Sequence, residues 1–282
     1  MQEGWDGKPA DALVALHARK NARAIRAFRT TYPGRPLIVV LTGTDVYRDL
    51  RTHASARRSL ELADLVVVLQ AEAVDQVPRT LRHRTHVIYQ SAKPLKPAPA
   101  ARQRSFEVAC VGHLRAVKDP MRAAMASRGL PAASRIQVIH AGAALTEALE
   151  ARAMRETEQN PRYRWLGGLT TGSARRLIAK SRILVVSSRM EGGANVIVEA
   201  IIDRTPVLAS RISGNLGMLG NDYPGYFAFG DTAALTELLC QCEDDPNFLR
   251  SLQAHCDERR PRFQETCERD ALEKLLGPLF YG

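Results

Sequence analysis

The stretch that decides the fold class is Ile183-Leu184-Val185-Val186-Ser187-Ser188-Arg189-Met190-Glu191-Gly192-Gly193-Ala194-Asn195-Val196-Ile197-Val198-Glu199-Ala200. Its first four residues form a continuous apolar run, which is typical of a strand buried on both faces of a parallel sheet. The glycine pair then breaks the strand, and a helix is expected to restart near Ala194. The free N–H groups and positive dipole end of such a helix suit a phosphate group.

Two glutamates flank this turn with seven residues between them, Glu191 in the loop and Glu199 in the helix. Glu199 should lie just over one turn into the helix, where its carboxylate can accept hydrogen bonds from a sugar diol. Together with the phosphate site, these carboxylates predict a pocket for a nucleotide sugar. The alternative is a tight turn with one helix-capping glutamate and one solvated glutamate.

Composition narrows the class of partner. The chain has 282 residues, 45% hydrophobic and 25% charged, as expected for a folded α/β protein of two domains. Its net charge of +10 predicts an anionic partner. Aromatic residues make up only 6%, so stacking platforms for single-stranded nucleic acid are scarce. A small phosphorylated ligand therefore fits better than nucleic acid or a membrane surface.

The remaining composition predicts a soluble, cytoplasmic protein. The five cysteines match neither a zinc site nor a disulfide framework. No apolar run is long enough to cross a bilayer, and residues 1–11 lack the hydrophobic core of a signal peptide.

Short apolar runs alternate with amphipathic segments along the chain, which predicts two open, doubly wound parallel sheets. Helices are predicted over 11–29, near 54–62 and from about Thr232 onward. The predicted strands are Leu37–Leu41, Leu65–Leu69, His86–Tyr89, Glu107–Val111, Ile136–Ile139, Tyr163–Leu166, Ile183–Ser187 and Pro206–Ala209. We expect a first domain over 1–93, a linker over 94–104, a second domain over 105–262 and a terminal helix over 263–282 that packs back towards the first domain.

Glycine-bearing loops follow four strands of the second half and should meet at one edge of its sheet: Gly112-His113, Gly142, Gly167-Gly168 and Gly192-Gly193. The first of these continues to Arg115 and Lys118. Two cations at this edge could stabilise the charge that develops on a departing diphosphate. The alternative is a solvated loop with ordinary surface cations.

These segments resemble known glycosyltransferase motifs. Gly112 to Lys118 resembles the Gly-Arg-Leu-x-x-x-Lys motif, and Glu191 to Glu199 the Glu-x7-Glu motif, of retaining nucleotide-sugar glycosyltransferases. That resemblance implies the GT-B fold, with two Rossmann-like doubly wound parallel-sheet domains facing across a cleft. The first domain would be on the acceptor side and the second would bind the nucleotide sugar.

A closer resemblance, over almost the whole chain, is to the selenosugar synthases, which join selenophosphate to the sugar of a UDP-sugar in selenoneine biosynthesis. It rests on five segments: Leu41–Asp49, Val87–Ala92, Val111–Arg115, Ser188–Glu199 and Ala209–Gly220. The resemblance implies UDP-N-acetylglucosamine as the donor, with UDP-glucose close behind. The predicted partners are thus a UDP-sugar and selenophosphate, without stable membrane association.

The resemblance also implies roles for individual residues. Lys118 would bind the diphosphate, Glu199 the ribose hydroxyls, and Glu191 the donor sugar. Backbone amides of Gly192, Gly193, Ala194 and Asn195 would face the diphosphate, and Trp165 and Leu166 lie where the larger family holds uracil, mostly by backbone. His113 replaces the arginine of the larger family, so its role is open between a phosphate donor and a sugar contact, and Arg115 could restore the missing charge.

The acceptor side is expected at the loop after Leu37–Leu41, with Thr42, Gly43 and Thr44 as candidates. Asp45 could orient a sugar hydroxyl, orient a neighbouring arginine, or cap the following helix. Arg48 and Arg211 are possible anion partners or plain surface charges. Selenophosphate needs no general base, because its selenium is already anionic. No metal is expected, since the chain contains no Asp-x-Asp motif.

Two other functions remain open. One is a conventional hexosyltransferase acting on a hydroxyl of a lipid or glycan, because Arg19, Arg23 and Arg26 share one face of the predicted 11–29 helix, as in membrane-surface helices. The other is a polyanion-binding protein, which leaves the spacing of the glutamates unexplained.

The resemblance finally implies a strand, a glycine loop and a helix ahead of the segment Trp5–Ala10. We expect this chain to lack that unit, as a shortened version of the natural protein. The core beside Leu37–Leu41 should then be open, and transfer should be poor although UDP still binds.

Overall fold

Two parallel α/β sheets, each in its own unit, organise the residues that the structure describes, 4–96 and 105–281 of a computed structural model. Most of the predicted linker 94–104 lies outside these described residues. The first unit comprises Met1–Gln90, Met190–Gly193 and Thr266–Gly282. The second comprises Ser91–Arg189 and Ala194–Glu265. The α/β fold class predicted from the sequence is confirmed.

The first unit contains a four-stranded parallel sheet in the order β1-β2-β3-β4. Its strands are β1 (Leu13–Leu16), β2 (Leu37–Leu41), β3 (Leu65–Val68) and β4 (Thr85–Val87). The helices between them are α1 (Ala22–Thr31), α2 (Leu50–Thr52) and α3 (Ala54–Leu62). A π-helical turn, Asp45–Asp49, leads into α2, and 3₁₀ turns cover Ala71–Gln76 and Arg79–Arg84.

The predicted helix over 11–29 is wrong in its first part. Leu13–Leu16 is instead strand β1, and each of its four residues pairs in parallel register with β2. The chain turns at His17, which has a φ of 72°, and α1 begins only at Ala22. As a strand, Leu13–Leu16 pairs its backbone N–H and C=O groups with those of β2 and extends the parallel sheet.

The expected open core beside β2 is also wrong. β1 flanks β2 on one side and β3 flanks it on the other. Leu37, Val39 and Leu41 are consequently fully buried, under Ile25 and Phe28 of α1.

The second unit contains a six-stranded parallel sheet in the order β10-β9-β8-β5-β6-β7. Its strands are β5 (Phe106–Val111), β6 (Ile136–Ala141), β7 (Tyr163–Trp165), β8 (Ile183–Val186), β9 (Val207–Ser210) and β10 (Tyr226–Phe227). Its helices are α4 (Arg122–Arg128), α5 (Glu147–Gln159), α6 (Thr171–Lys180), α7 (Asn195–Ile202), α8 (Ser213–Leu219), α9 (Thr232–Asp244) and α10 (Pro246–Arg259). A short 3₁₀ turn, Arg260–Phe263, follows α10.

This strand order creates a switch point between β5 and β8. From β5 the chain proceeds outward to β6 and β7, and then returns to add β8, β9 and β10 on the other side. The loops leaving β5 and β8 therefore diverge at their carboxyl ends and leave a crevice, which is where ligands bind in doubly wound sheets.

The last helix, α11 (Glu265–Tyr281), packs on the first sheet. Ile38, Val67 and Ile88 form the buried cluster on that face, and the helix adds Ala271, Leu275, Leu276 and Leu279. Ile38 of β2 thus faces α11, while its neighbours Leu37, Val39 and Leu41 face α1. This alternation is the two-residue period of a strand. Among the helices of residues 4–96 and 105–281, none is long and apolar enough to cross a bilayer.

A close backbone approach joins the ends of β5 and β6. Gly142 has a φ of +155°, and a Cβ added there would lie 1.9 Å from the carbonyl oxygen of Gly112. The Gly112 amide in turn donates a 2.9 Å hydrogen bond to the Ala141 carbonyl. Only glycine combines this backbone conformation with so short a contact.

Gly142→Ala should therefore lower the free energy of unfolding by about 3 kcal/mol, because it adds backbone strain and a steric clash. Gly172→Ala is the matched control in the same unit: it lies in α6, and its new Cβ would meet only the Arg176 guanidinium at 3.5 Å. Urea unfolding of both variants checks the contact. Equal midpoints for Gly142→Ala and wild type would show that the approach is not tight.

Candidate functional site

The loop after β5 is fixed by one buried side chain. Leu114 is fully buried, its amide donates to the Ala143 carbonyl at 2.9 Å, and its carbonyl accepts from the Leu145 amide at 3.1 Å. The residues on either side of it, His113 and Arg115, are exposed. Both predicted site residues therefore lie at the carboxyl end of β5, beside the switch point.

The loops after β5 and β8 are fastened to each other. The Arg189 amide donates to the Val117 carbonyl at 2.8 Å, and the Ser187 hydroxyl donates to the Lys118 carbonyl at 3.1 Å and to the Asp119 carbonyl at 2.9 Å. Lys118 is half-buried and ends a 3₁₀ turn. These bonds hold its backbone beside the loop that leads to α7.

Helix α7 begins at Asn195, as the sequence predicted, and Ala194 is its N-cap residue. An alanine cannot cap a helix, and no side chain of the described residues bonds to the first amides of α7 in its place. Ile197, Val198 and Ile201 are buried and fix the helix on the sheet. Its first turn is thus held in place with backbone N–H groups available to an anion.

Glu199 is half-buried in the second turn of α7. Burial raises its pKa, an effect that the charge of Arg175 opposes and that of Asp203 reinforces. Arg175 itself pairs with Asp203 at 2.9 Å. Within the described residues, no group donates a hydrogen bond to the Glu199 carboxylate. The side chain is therefore positioned to accept hydrogen bonds from a bound molecule.

Trp165 and Leu166, at the end of β7, are placed next to the β6 loop. The Trp165 indole donates to the Gly142 carbonyl at 2.8 Å, and the Leu166 amide donates to the His140 carbonyl at 2.8 Å. Leu166 is 37% exposed. The second unit therefore assembles His113, Arg115, Lys118, Trp165, Leu166, Asn195 and Glu199 on the carboxyl-end loops of one sheet and on the helix that follows β8.

Glu191, Gly192, Gly193 and the predicted acceptor-side residues lie in the first unit, whereas Gly112 and Ala194 lie in the second. Glu191 is 8% exposed, and Gly192 touches the loop after β2: an added Cβ would lie 2.3 Å from the Thr42 carbonyl oxygen and 2.6 Å from the Gly43 nitrogen. A Cβ on Gly193 would lie 2.6 Å from the Leu69 side chain. The structure thus brings the predicted acceptor-side residues Thr42 and Gly43 against the glycine turn, and it leaves no room there for a side chain.

Asp45 shapes the same loop. It is fully buried, and its carboxylate accepts hydrogen bonds from the amides of Thr42 at 3.0 Å, Gly43 at 2.8 Å and Ala18 at 3.1 Å. Thr44, half-buried, bonds through its hydroxyl to the His17 ring at 3.0 Å. Asp45 therefore fixes the backbone of the loop after β2 by accepting hydrogen bonds from its amides. The sequence had suggested a sugar hydroxyl, an arginine or the following helix as its partner.

Several residues that support the site were not predicted from the sequence. The buried Ser210 hydroxyl donates to the Ser188 carbonyl, and the side-chain Nδ2 of Asn215 donates to the Ser210 carbonyl at 2.9 Å. His140 is buried, its pKa is lowered to about 4 by burial, and it bonds to the Gly112 backbone and to the Tyr163 hydroxyl. The sequence signal that could have identified Ser188 and Ser210 is their place as small polar residues directly after a predicted strand. Within the described residues, no three His, Cys, Asp or Glu side chains are grouped so as to hold a metal.

Glu199→Gln should raise the thermal midpoint at neutral pH. The raised pKa means that the folded protein binds the Glu199 proton more tightly than the unfolded chain does. Stability is then lost as the pH rises through the folded pKa. The midpoint advantage of the variant should grow between about pH 4 and about pH 7.

Glu158→Gln, at an exposed position of α5, is the control with the same charge change and should show no such growth. Equal thermal midpoints of the wild type and Glu199→Gln at both pH values would contradict the claim that burying the ionised Glu199 carboxylate lowers stability.

Comparison with known proteins places the chain in a family. The family model described as "Glycosyl transferases group 1" matches residues 91–260, which is more than half of the 282 residues. It includes the loops after β5 and β8 and the whole of α7. No curated protein sequence matches the chain significantly.

Solved structures share the fold at low sequence identity. Alr3699/HepE of Anabaena, in complex with UDP-glucose, is 18% identical with a TM-score of 0.77, over 95% of this chain and 79% of that one. An α,α-trehalose-phosphate synthase (UDP-forming) from Burkholderia xenovorans, in complex with glucose-6-phosphate, is 13% identical with a TM-score of 0.76, over 99% and 74%. TarM of S. aureus is 16% identical with a TM-score of 0.70, over 96% and 55%. Because the family model matches more than half of the chain, the chain belongs to the group 1 glycosyl transferases.

Proposed function

We propose that the protein transfers the sugar of a UDP-sugar to selenophosphate. The observation that supports a nucleotide-sugar donor best is the position of Lys118 on the loop after β5 and of Glu199 on the helix after β8, on the two sides of one switch point. The HepE complexes with UDP and with UDP-glucose support uridine diphosphate as the nucleotide. UDP-N-acetylglucosamine and UDP-glucose are the candidate donors, the first favoured by the family resemblance alone.

The donor would be held by complementary groups of the second unit. Glu199 accepts hydrogen bonds from the ribose hydroxyls, since its carboxylate has no donor among the described residues. Lys118 and the amides at the start of α7 neutralise the diphosphate. Trp165 and Leu166 flank the uracil. No metal is needed in this proposal, because these groups supply the positive charge.

Glu191 and the first-unit residues are assigned to the sugar and the acceptor. Glu191 contacts the donor sugar, and Thr42, Gly43 and Thr44 face the acceptor, with Asp45 holding their backbone. His113 and Arg115 are the exposed side chains on either side of the buried Leu114, in the loop after β5. Either can donate a hydrogen bond to a phosphate oxygen.

The proposed reaction displaces UDP at the anomeric carbon. Selenium forms a bond to this carbon while the bond to the diphosphate oxygen breaks, and UDP leaves with the electron pair. Hydrolysis of the selenium–phosphorus bond then releases phosphate and yields the selenosugar. An anionic selenium nucleophile makes a general base unnecessary.

A conventional transferase acting on a hydroxyl acceptor is the second candidate. The glucose-6-phosphate complex of the trehalose-phosphate synthase and the α-GlcNAc-glycerol complex of TarM support it. The basic membrane-surface helix that would favour a lipid acceptor is not present over 11–29, because Leu13–Leu16 forms strand β1 and α1 begins only at Ala22.

The deciding experiment supplies the protein with UDP-N-acetylglucosamine or UDP-glucose together with freshly made selenophosphate. Mass spectrometry should detect a selenium-containing sugar, with equal yield in the presence of EDTA. A product formed only with a hydroxyl acceptor would replace the selenophosphate proposal with the second candidate. Loss of product in EDTA would contradict the metal-free mechanism alone.

Lys118→Ala and Glu199→Ala should separate catalysis from binding. Lys118→Ala is expected to lower kcat about 100-fold with a smaller effect on UDP affinity, because its charge matters most as the diphosphate departs. Glu199→Ala is expected to weaken UDP binding about tenfold, since the ribose hydroxyls lose their acceptor. Calorimetry and steady-state kinetics measure the two effects.

Lys180→Ala is the control for the lysine, because Lys180 is exposed and lies 3.9 Å from Glu107, at the opposite end of β5. Unchanged kcat in Lys118→Ala, or unchanged UDP affinity in Glu199→Ala, would refute the corresponding role.

A further inference from the structure

A fully buried carboxylate in the first unit holds two arginines. Asp49 accepts a 2.8 Å hydrogen bond from Nε of Arg19 and a 2.9 Å hydrogen bond from Nε of Arg48. The guanidinium groups converge on it from different segments, one from the turn after β1 and the other from the π-helical turn after β2. Asp49 thereby fixes the positions of both cations.

The π-helical turn explains why the carboxylate is buried. Asp45 and Asp49 stand at its two ends, and both side chains point into the protein. Burial by itself raises the pKa of Asp49, but the bonds from Arg48 and Arg19 outweigh it and lower the pKa below its ordinary value. Asp49 is therefore ionised, and its charge is balanced by the two arginines.

The pairing leaves donors that face solvent. The side chains of Arg19 and Arg48 are 37% and 51% exposed, and each uses Nε for Asp49. One terminal nitrogen of Arg19 lies 3.4 Å from Nε2 of His53, while the terminal nitrogens of Arg48 have no partner among the described residues. A guanidinium anchored by Nε presents its remaining N–H groups as a fixed fork.

The local charge is unbalanced. Arg19, Lys20 and Arg48 contribute three positive charges, against the two carboxylates of Asp45 and Asp49. Burial lowers the pKa of His17, so this ring adds no charge at neutral pH. One positive charge is left over at the carboxyl ends of β1 and β2.

We infer that Arg19 and Arg48 bind a tetrahedral oxyanion, the phosphate-type group of the acceptor. This inference rests on the proposed transferase function and specifies its substrate class: an acceptor that carries a phosphate-like dianion. The paired forks donate charge-assisted hydrogen bonds to its oxygens. Asp49 is a positioning residue, which acts through the two arginines.

The test measures binding of inorganic phosphate by calorimetry in the presence of saturating UDP, which occupies the diphosphate site. Arg19→Gln and Arg48→Gln should each weaken phosphate binding at least tenfold, because each removes one fork. Arg58→Gln is the matched control: Arg58 is exposed on α3, and its one ion-pair partner among the described residues is Glu61, at 2.9 Å. It should leave phosphate binding unchanged.

Each single variant leaves one arginine on Asp49, so the buried carboxylate keeps a partner. Should Arg19→Gln fail to fold, Arg48→Gln and Arg48→Lys decide. The lysine keeps the charge without the fork and should restore only part of the affinity. Phosphate binding that is equal in wild type, Arg19→Gln and Arg48→Gln would overturn the inference.

Glucose 6-phosphate, titrated in parallel, distinguishes two sources of the same anion. Affinity equal to that of phosphate assigns the site to a free oxyanion such as selenophosphate, and much tighter binding assigns it to a phosphorylated sugar. Both outcomes support the arginine pair, provided that Arg48→Gln weakens the binding at least tenfold. UDP affinity, measured separately, should be the same in all variants, so a failure to bind UDP would refute the proposed function and not the oxyanion site.

Discussion

The approach of Gly142 to the Gly112 carbonyl is the contact on which the second unit's site depends. It brings the ends of β5 and β6 together, so that Leu114 can bond with Ala143 and Leu145. The loop is then held in one path as far as Lys118, where Ser187 and Arg189 bind its backbone. This contact and the hydrogen bonds from Ser187 and Arg189 together align the loop after β5 with the loop that leads to α7.

The buried carboxylates of the first unit and Glu199 of the second unit differ in how many hydrogen-bond donors they have. In the first unit, the carboxylates of Asp45 and Asp49 are satisfied by three amides and two guanidiniums. In the second unit, Glu199 is half-buried without a hydrogen-bond donor among the described residues, and Ala194, the N-cap residue of α7, has no side-chain acceptor for the first amides of the helix. Unsatisfied groups of this kind cost stability, and they are retained where a ligand supplies the missing bonds.

The sequence predicted most of this fold because long apolar runs dominate it. β2 lies at its predicted residues, and β5 to β9 lie within about two residues of theirs. The start of α7 followed from the glycine pair. β1 was missed because the strand is only four residues long and only partly buried. The amphipathic segment that follows it has a helical pattern, and that pattern was extended back over Leu13–Leu16. β10, two residues long, offers no periodicity at all.

The candidate site was predictable only in part, for a physical reason. Residues whose chemistry depends on a local turn, such as Lys118 and Glu199, could be singled out from spacing. The role of Asp45 depends on an amide 27 residues away, and Asp49 gathers an arginine 30 residues away. Such contacts depend on tertiary packing, which no local pattern encodes.

Hydrogen–deuterium exchange with and without UDP tests the proposed donor site most directly. If UDP binds as proposed, exchange should slow at residues 112–118 and 187–199 and stay unchanged in β10, the edge strand that β8 and β9 separate from β5. Unchanged exchange in both loops at saturating UDP, or protection confined to other elements, would contradict a nucleotide site at the β5–β8 switch point.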